Sequence, residues 1–216
     1  NASPYFSGFI SCTQDVGTCS GATDSSAEWT CRFSMWYNTD PTDAATPWTA
    51  QNWLATVEVT DDDVATSSLI EATTGNDVIS FMAFDVTESA IGYGGLEPGQ
   101  SNDPLASTTD LIALGNVGLD EDLYGDTMCT TWTTADSCDT NGISATNDIP
   151  VNNQKFATSS VAYASSLAYT LTGSSTPTDL FIRVPKTTAT STPSERDTYW
   201  GINIPATITL AGNYSG

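Results

Sequence analysis

Apolar and polar residues alternate in short runs, and turn-forming residues separate the runs. Residues 5–12 alternate and end at Asp15-Val16-Gly17. Residues 28–37 alternate again and stop at Asn38-Thr39-Asp40-Pro41, and residues 53–59 end at Asp61-Asp62-Asp63. Residues 78–86 form a strongly apolar run. The runs 111–114 and 117–124 flank Gly115-Asn116, which reads as a tight connection between two strands. Further strands are expected at 161–163, 167–171, 180–184, 199–204 and 208–210, with a polar loop over 187–195. Helical periodicity is confined to residues 62–71, enough for one or two turns. Short strands with regular turn signals predict an all-β sandwich or barrel. The chain has no repeat, Pro-rich linker or composition shift, so a single domain over residues 1–216 is expected.

Composition narrows the chemistry. The chain has no histidine, and 5 Lys and Arg stand against 26 Asp and Glu, a formal net charge of -21. A Ser-His-Asp or Cys-His site cannot be built, nor can a His-ligated metal. Nucleic acid is a poor partner, because phosphate binding needs clustered cations. No run of 18 apolar residues occurs, so no membrane insertion is expected. Such acidity can signal disorder, but 6 Trp, 8 Tyr and 7 Phe need a core to bury them. Asn1 reads as a mature N-terminus after processing. Asn1-Ala2-Ser3 and Asn213-Tyr214-Ser215 are sequons, which makes Asn1 and Asn213 candidate glycosylation sites.

The five cysteines form no Cys-x-x-Cys pair, which argues against zinc and redox motifs and for disulfides in an oxidising compartment. Cys129 and Cys138 flank a short polar loop and are expected to pair. Phe6, Gly8, Ile10 and Cys12 share one face of their strand, and Trp29, Cys31, Phe33 and Met35 share one face of theirs. That favours Cys12–Cys31 and leaves Cys19 either as a free thiol or as an intermolecular link.

Three acidic groups stand out: Asp61, Asp62 and Asp63; Asp120, Glu121, Asp122 and Asp126; and Asp136 with Asp139. Loop carboxylates suit calcium, expected here at Asp61, Asp62, Asp63, Asp120, Asp122 and Asp126, although none fits EF-hand spacing. The competing reading is a solvated acidic surface. No other cofactor is expected, and the chain does not read as an enzyme. A glycosidase needs only two carboxylates, but sequence cannot measure their separation. Trp36, Trp48 and Trp132, near strand ends, could instead form a sugar-stacking face.

The second half carries a series of motifs. Leu96-Glu97-Pro98-Gly99-Gln100 precedes Leu111-Ile112-Ala113-Leu114-Gly115-Asn116-Val117-Gly118-Leu119. Then come Ile149-Pro150-Val151-Asn152-Asn153-Gln154-Lys155-Phe156, Thr198-Tyr199-Trp200-Gly201-Ile202-Asn203-Ile204-Pro205 and Ala211-Gly212-Asn213-Tyr214-Ser215-Gly216. Their order resembles secreted β-sandwich surface proteins of bacteria and archaea. More distantly it is similar to the TasA biofilm-matrix fibre proteins and the archaeal bundling pili. The resemblance covers residues 96–216 and implies a jelly-roll-like antiparallel β-sandwich. It also implies subunits that polymerise by donor-strand complementation.

In the resembling proteins an apolar strand follows the Ala-Gly turn, and here the chain ends at Gly216. Either the sequence is cut short or a sheet edge is left open to another chain. Residues 1–12 contain the candidate donated strand, with Tyr5, Phe6, Phe9 and Ile10 as its assembly residues; the other reading pairs it within its own subunit. The expected role is a structural subunit of an extracellular, cell-surface filament or biofilm-matrix fibre, with copies of itself as partners. The alternative is a monomeric adhesin or carbohydrate-binding module whose partners are surface glycans.

Overall fold

The computed structural model describes residues 10–18, 21, 23, 26–43, 47–60, 63–133, 137–138, 147–173, 177–189 and 191–216. The described chain is β-structure with antiparallel pairing throughout, as the alternation predicts. Its contacts divide it into two compact units that interleave along the sequence.

The first unit comprises Asn1–Ala83, Leu114–Val117 and Lys186–Pro193. Strand β1 (Ser11–Gln14) pairs with β2 (Trp29–Arg32), and the register sets Cys12 directly opposite Cys31, which are joined as a disulfide. Strand β3 (Thr56–Val57) pairs with β4 (Ile70–Glu71). Residues 63–69 are not helical; Thr60 bridges Thr66, and β4 takes the end of the segment expected to be a helix.

This unit buries polar side chains. Asn38, Thr39, Thr42, Asn116 and Thr187 are all nearly inaccessible, while Val57, Val59, Ile70, Ile79 and Met82 are exposed. The apolar run 78–83, expected to continue as a strand to Val86, accounts for Thr42 and Asn116. Val78 N–H donates to Thr42 Oγ1 (3.0 Å), Ser80 N–H to Asp43 Oδ2 (2.7 Å) and Phe81 N–H to Asn116 Oδ1 (2.7 Å). Side chains satisfy the backbone where a neighbouring strand would otherwise do so. Only β5 (Phe84–Val86) joins a ladder.

The second unit comprises Phe84–Ala113, Gly118–Pro185 and Ser194–Gly216. Strands β6 (Ser107–Ala113), β10 (Gln154–Ala157), β11 (Tyr169–Thr170) and β13 (Ser194–Ile202) join β5 in one sheet, ordered β11-β10-β13-β6-β5. Strand β7 (Leu119–Leu123) pairs with β12 (Thr178–Val184), with a register shift between Asp179 and Ile182. A small hairpin joins β8 (Trp132–Thr133) to β9 (Ser137–Cys138), and Cys129 is disulfide-bonded to Cys138.

The five-stranded sheet packs on the β7–β12 pair as two layers. Leu111 and Ala113 of β6 meet Leu119 and Val184, while Phe156 and Trp200 meet Ile182 and Leu171. Trp200 Nε1–H donates to Thr109 Oγ1 at 2.9 Å, so the buried indole keeps a partner. The opposite face of β13 is covered too. Gly201 lies under Leu105, and a β-carbon there would stand 2.9 Å from Leu105 Cγ. Glycine is what lets the 102–105 loop close over the strand.

Several expected boundaries move. Gly115-Asn116 does not close a hairpin, because β6 and β7 belong to different sheets. Residues 161–163 and 208–210 are not strands, whereas Gln154–Ala157, unmarked by alternation, is paired on both sides. The loop expected over 187–195 gives Ser194 and Glu195 to β13, and Thr187 is fully buried.

Between the layers, Glu121 of β7 faces Thr198 of β13, whose Oγ1–H donates to Glu121 Oε2 at 3.2 Å. Burial raises the Glu121 carboxyl above its ordinary value, and the Thr198 hydrogen bond offsets part of that. The folded chain therefore holds this proton more tightly than the unfolded chain. Stability is favoured below the unfolded value near 4.5 and falls as pH rises through the raised folded value. Glu121→Gln should flatten that part of the slope. Its melting temperature should exceed that of the native protein at pH 7 and match it near pH 4; an advantage independent of pH would refute the assignment.

Candidate functional site: an apolar groove in the second unit

Three of the motif segments converge. Gly99 N–H donates to Ile204 O (2.8 Å), Ile204 N–H to Gln100 O (2.8 Å) and Asn102 N–H to Ile202 O (3.0 Å). These bonds lay the Pro98-Gly99 turn along the end of β13. Beyond it, Cys129 and Ser215 exchange both backbone hydrogen bonds, as do Met128 and Ile149. The C-terminal segment is thereby fastened to the 128–129 segment, which the Cys129–Cys138 disulfide anchors.

Between these walls lies a groove with a cavity volume of about 680 Å³. Ile149, Ile202 and Ile208 form its buried floor, with Leu96, Met128 and Tyr214 packed beside them. One wall is Gly92-Tyr93-Gly94-Gly95, and the other is the segment from Thr209 to Tyr214. Gly94 has φ +75°, a conformation other residues rarely adopt, and the space beside the Cα atoms of Gly92, Gly94 and Gly95 is open. Among the described residues, the N–H groups of Gly94, Gly95, Leu96 and the segment 211–214 donate to no protein acceptor. Tyr93 is held in the wall by its hydroxyl on Gln154 Oε1 (3.3 Å) and its carbonyl on Asn102 Nδ2 (3.0 Å). Burial raises its phenol pKa well above the usual range.

The groove offers apolar side-chain space beside unpaired backbone donors, which is what an added extended peptide uses. Among the described residues that line it there is no His, Cys or Lys, and one carboxylate, Glu97. Asn213 lines it and is exposed, so a glycan at that sequon would stand at the groove's mouth. Asn1, Tyr5, Phe6, Phe9 and Cys19 lie outside the described residues; Ile10 is exposed.

The calcium candidates do not converge among the described residues. Asp61 and Asp62 lie outside those residues, and Asp63 is exposed. Asp120 and Asp122 point outward from β7, Asp120 in a surface ion pair with Arg183 at 3.6 Å. Asp126 contributes its backbone carbonyl to Gln154 Nε2 (2.9 Å). No group of three or more Cys, Asp or Glu side chains is placed to hold a metal among the described residues. Of the Trp candidates, Trp48 is exposed and Trp36 and Trp132 are half-buried, while Trp29 is more exposed than any of them.

A carboxylate pair that sequence reasoning missed sits on the outer face of the large sheet. The register places Asp110 of β6 opposite Asp197 of β13. Glu88 Oε2 accepts from the Asp110 N–H at 2.8 Å, and the Tyr199 hydroxyl donates to Asp197 Oδ2 at 3.3 Å. Partial desolvation raises the Asp110 carboxyl, helped by its hydrogen bond to Asp197 and the nearby charges of Glu88, Asp197 and Glu195. Two hydrogen-bonded carboxyls are too close to flank a glycosidic bond, which needs about 5 Å or more between them. Alternation alone could have placed both residues on outward faces, but only the register pairs them.

No protein-family model matches the chain. No curated protein and no solved structure matches it either.

The two disulfides are those of a chain that folds in an oxidising compartment, consistent with secretion. No helix among the described residues is long and apolar enough to cross a membrane.

Proposed function

We propose that the protein is a structural subunit of an extracellular surface filament or matrix fibre, whose copies join by strand complementation. The observation that carries this reading is the apolar groove with unpaired backbone donors along its Gly-rich wall. A second support is the first unit's exposed apolar surface, including Ile79 and Met82, at 74% and 69% exposure. Where such side chains lie side by side they suit an association surface. The groove's occupant is the segment of residues 3–10 from another copy, where Phe6 and Ile10 are four residues apart and share a strand face. Backbone hydrogen bonds give affinity, and those two side chains set register. In this reading the second unit's two layers are the jelly-roll of a surface subunit, as the motif order of residues 96–216 implies.

Removal of residues 1–10 should leave folded monomers that form no fibres in negative-stain images. Those monomers should bind a synthetic peptide of residues 3–10. Fibres from the shortened chain would remove the donor assignment, and monomers from the intact secreted chain at high concentration would remove the filament reading itself.

A further inference from the structure

Lys186 and Asp40 lie 146 residues apart in sequence and meet within the first unit. Lys186 Nζ contacts Asp40 Oδ1 and donates to Asn38 O at 3.0 Å. Both side chains are largely withdrawn from solvent, Lys186 at 20% and Asp40 at 27% exposure. The Asp40 backbone is itself held, because Trp53 Nε1–H donates to its carbonyl at 2.9 Å. Thr39 N–H and Oγ1–H both close onto Trp36 O, at 3.1 and 2.7 Å, which fixes the loop that presents the carboxylate. The chain has only two lysines. One of them is committed to this contact, beneath a unit whose centre is polar rather than apolar.

We propose that Lys186 and Asp40 are joined by an intramolecular isopeptide bond. The reaction needs no outside reagent. In the reacting form a proton has passed from the ammonium to the carboxylate, giving an amine and a carboxylic acid. The Nζ lone pair attacks Cγ, the C–N bond forms and one C–O bond breaks. The departing oxygen leaves as water with the acid proton and one proton from the nitrogen. Ammonium plus carboxylate thus become amide plus water. Fixed contact supplies the high effective concentration that free side chains lack, and partial exclusion of water disfavours the reverse reaction. The bond would tie the 36–43 loop to the segment that follows β12, replacing an exchangeable ion pair by a covalent link. It stands whether or not the copies assemble.

Mass spectrometry of the full secreted chain, reduced and alkylated, tests this directly. The expected mass is about 18 Da below that calculated for the sequence with its five cysteines alkylated, the loss of one water. Proteolysis should yield one branched peptide joining Lys186 to Asp40, with cleavage after Lys186 abolished. Lys186→Arg keeps the charge but cannot form the amide, and it should restore the sequence mass; Asp40→Ala should do the same. A native chain at the full sequence mass would overturn the proposal. So would a loss of 17 Da with Lys186 joined to the side chain of Asn38, or a loss of 18 Da with Lys186 and Asp40 in separate peptides.

Discussion

Phe156→Ala is expected to destabilise the second unit by about 3–5 kcal/mol, the range for truncating a fully buried aromatic. Phe156 is wholly inaccessible, and its ring lies 5.6 Å from that of Trp200, directly opposite it across β10 and β13. It also contacts Tyr169 at 6.2 Å, so its loss opens a cavity lined from three strands and the facing layer. Rings on adjacent strands cannot slide into the gap without breaking register, so little relaxation is available. At roughly 2–4 °C per kcal/mol, the melting temperature of this unit should fall by about 10 °C. Phe156→Leu should recover more than half of the loss. A fall of under 2 °C for the alanine variant would mean that the two layers are not held together at this point.

Leu210→Glu is expected to abolish assembly while leaving the subunit folded. Leu210 lines the groove, is 43% exposed, and has its N–H fixed by Asn147 Oδ1 at 3.1 Å. In the free subunit the new carboxylate is solvated and costs little. A docked apolar strand would strip its water and offer no cation, a penalty of about 3–5 kcal/mol and therefore a hundredfold or greater loss of affinity. Leu210→Met should assemble normally. Sedimentation and electron microscopy at matched concentrations separate the variants. Native-like fibres from Leu210→Glu would show that the groove is not where copies join.

The all-β class was readable because alternation is a local property, and so was the Cys12–Cys31 pairing, since each cysteine shares a strand face with apolar neighbours. Segments 96–100, 198–205 and 211–216 stood out individually as turn and strand chemistry. Their meeting around one groove depends on long-range register, which no window of sequence contains. Register also hid the pairing of Asp110 with Asp197. The run 78–86 misled for another reason. Its apolar side chains promise a buried strand, but Thr42, Asp43 and Asn116 lie 35 to 37 positions away and satisfy its backbone instead. Gln154–Ala157 was missed because Gln and Lys blur the alternation around a single large apolar residue, Phe156, which is nevertheless central to the core.

The polar centre of the first unit has a thermodynamic consequence. Heat capacity rises on unfolding mainly because apolar area meets water, and polar groups contribute with the opposite sign. A unit that already exposes Val59, Ile79 and Met82 while burying Asn38, Thr42, Asn116 and Thr187 has little apolar area left to release. Its free energy of unfolding should therefore vary almost linearly with temperature, with no steep decline on cooling. The Phe156–Trp200–Ile182 core gives the second unit an ordinary curved profile. Within one chain, cold would weaken the part built on aromatic packing and spare the part built on hydrogen bonds.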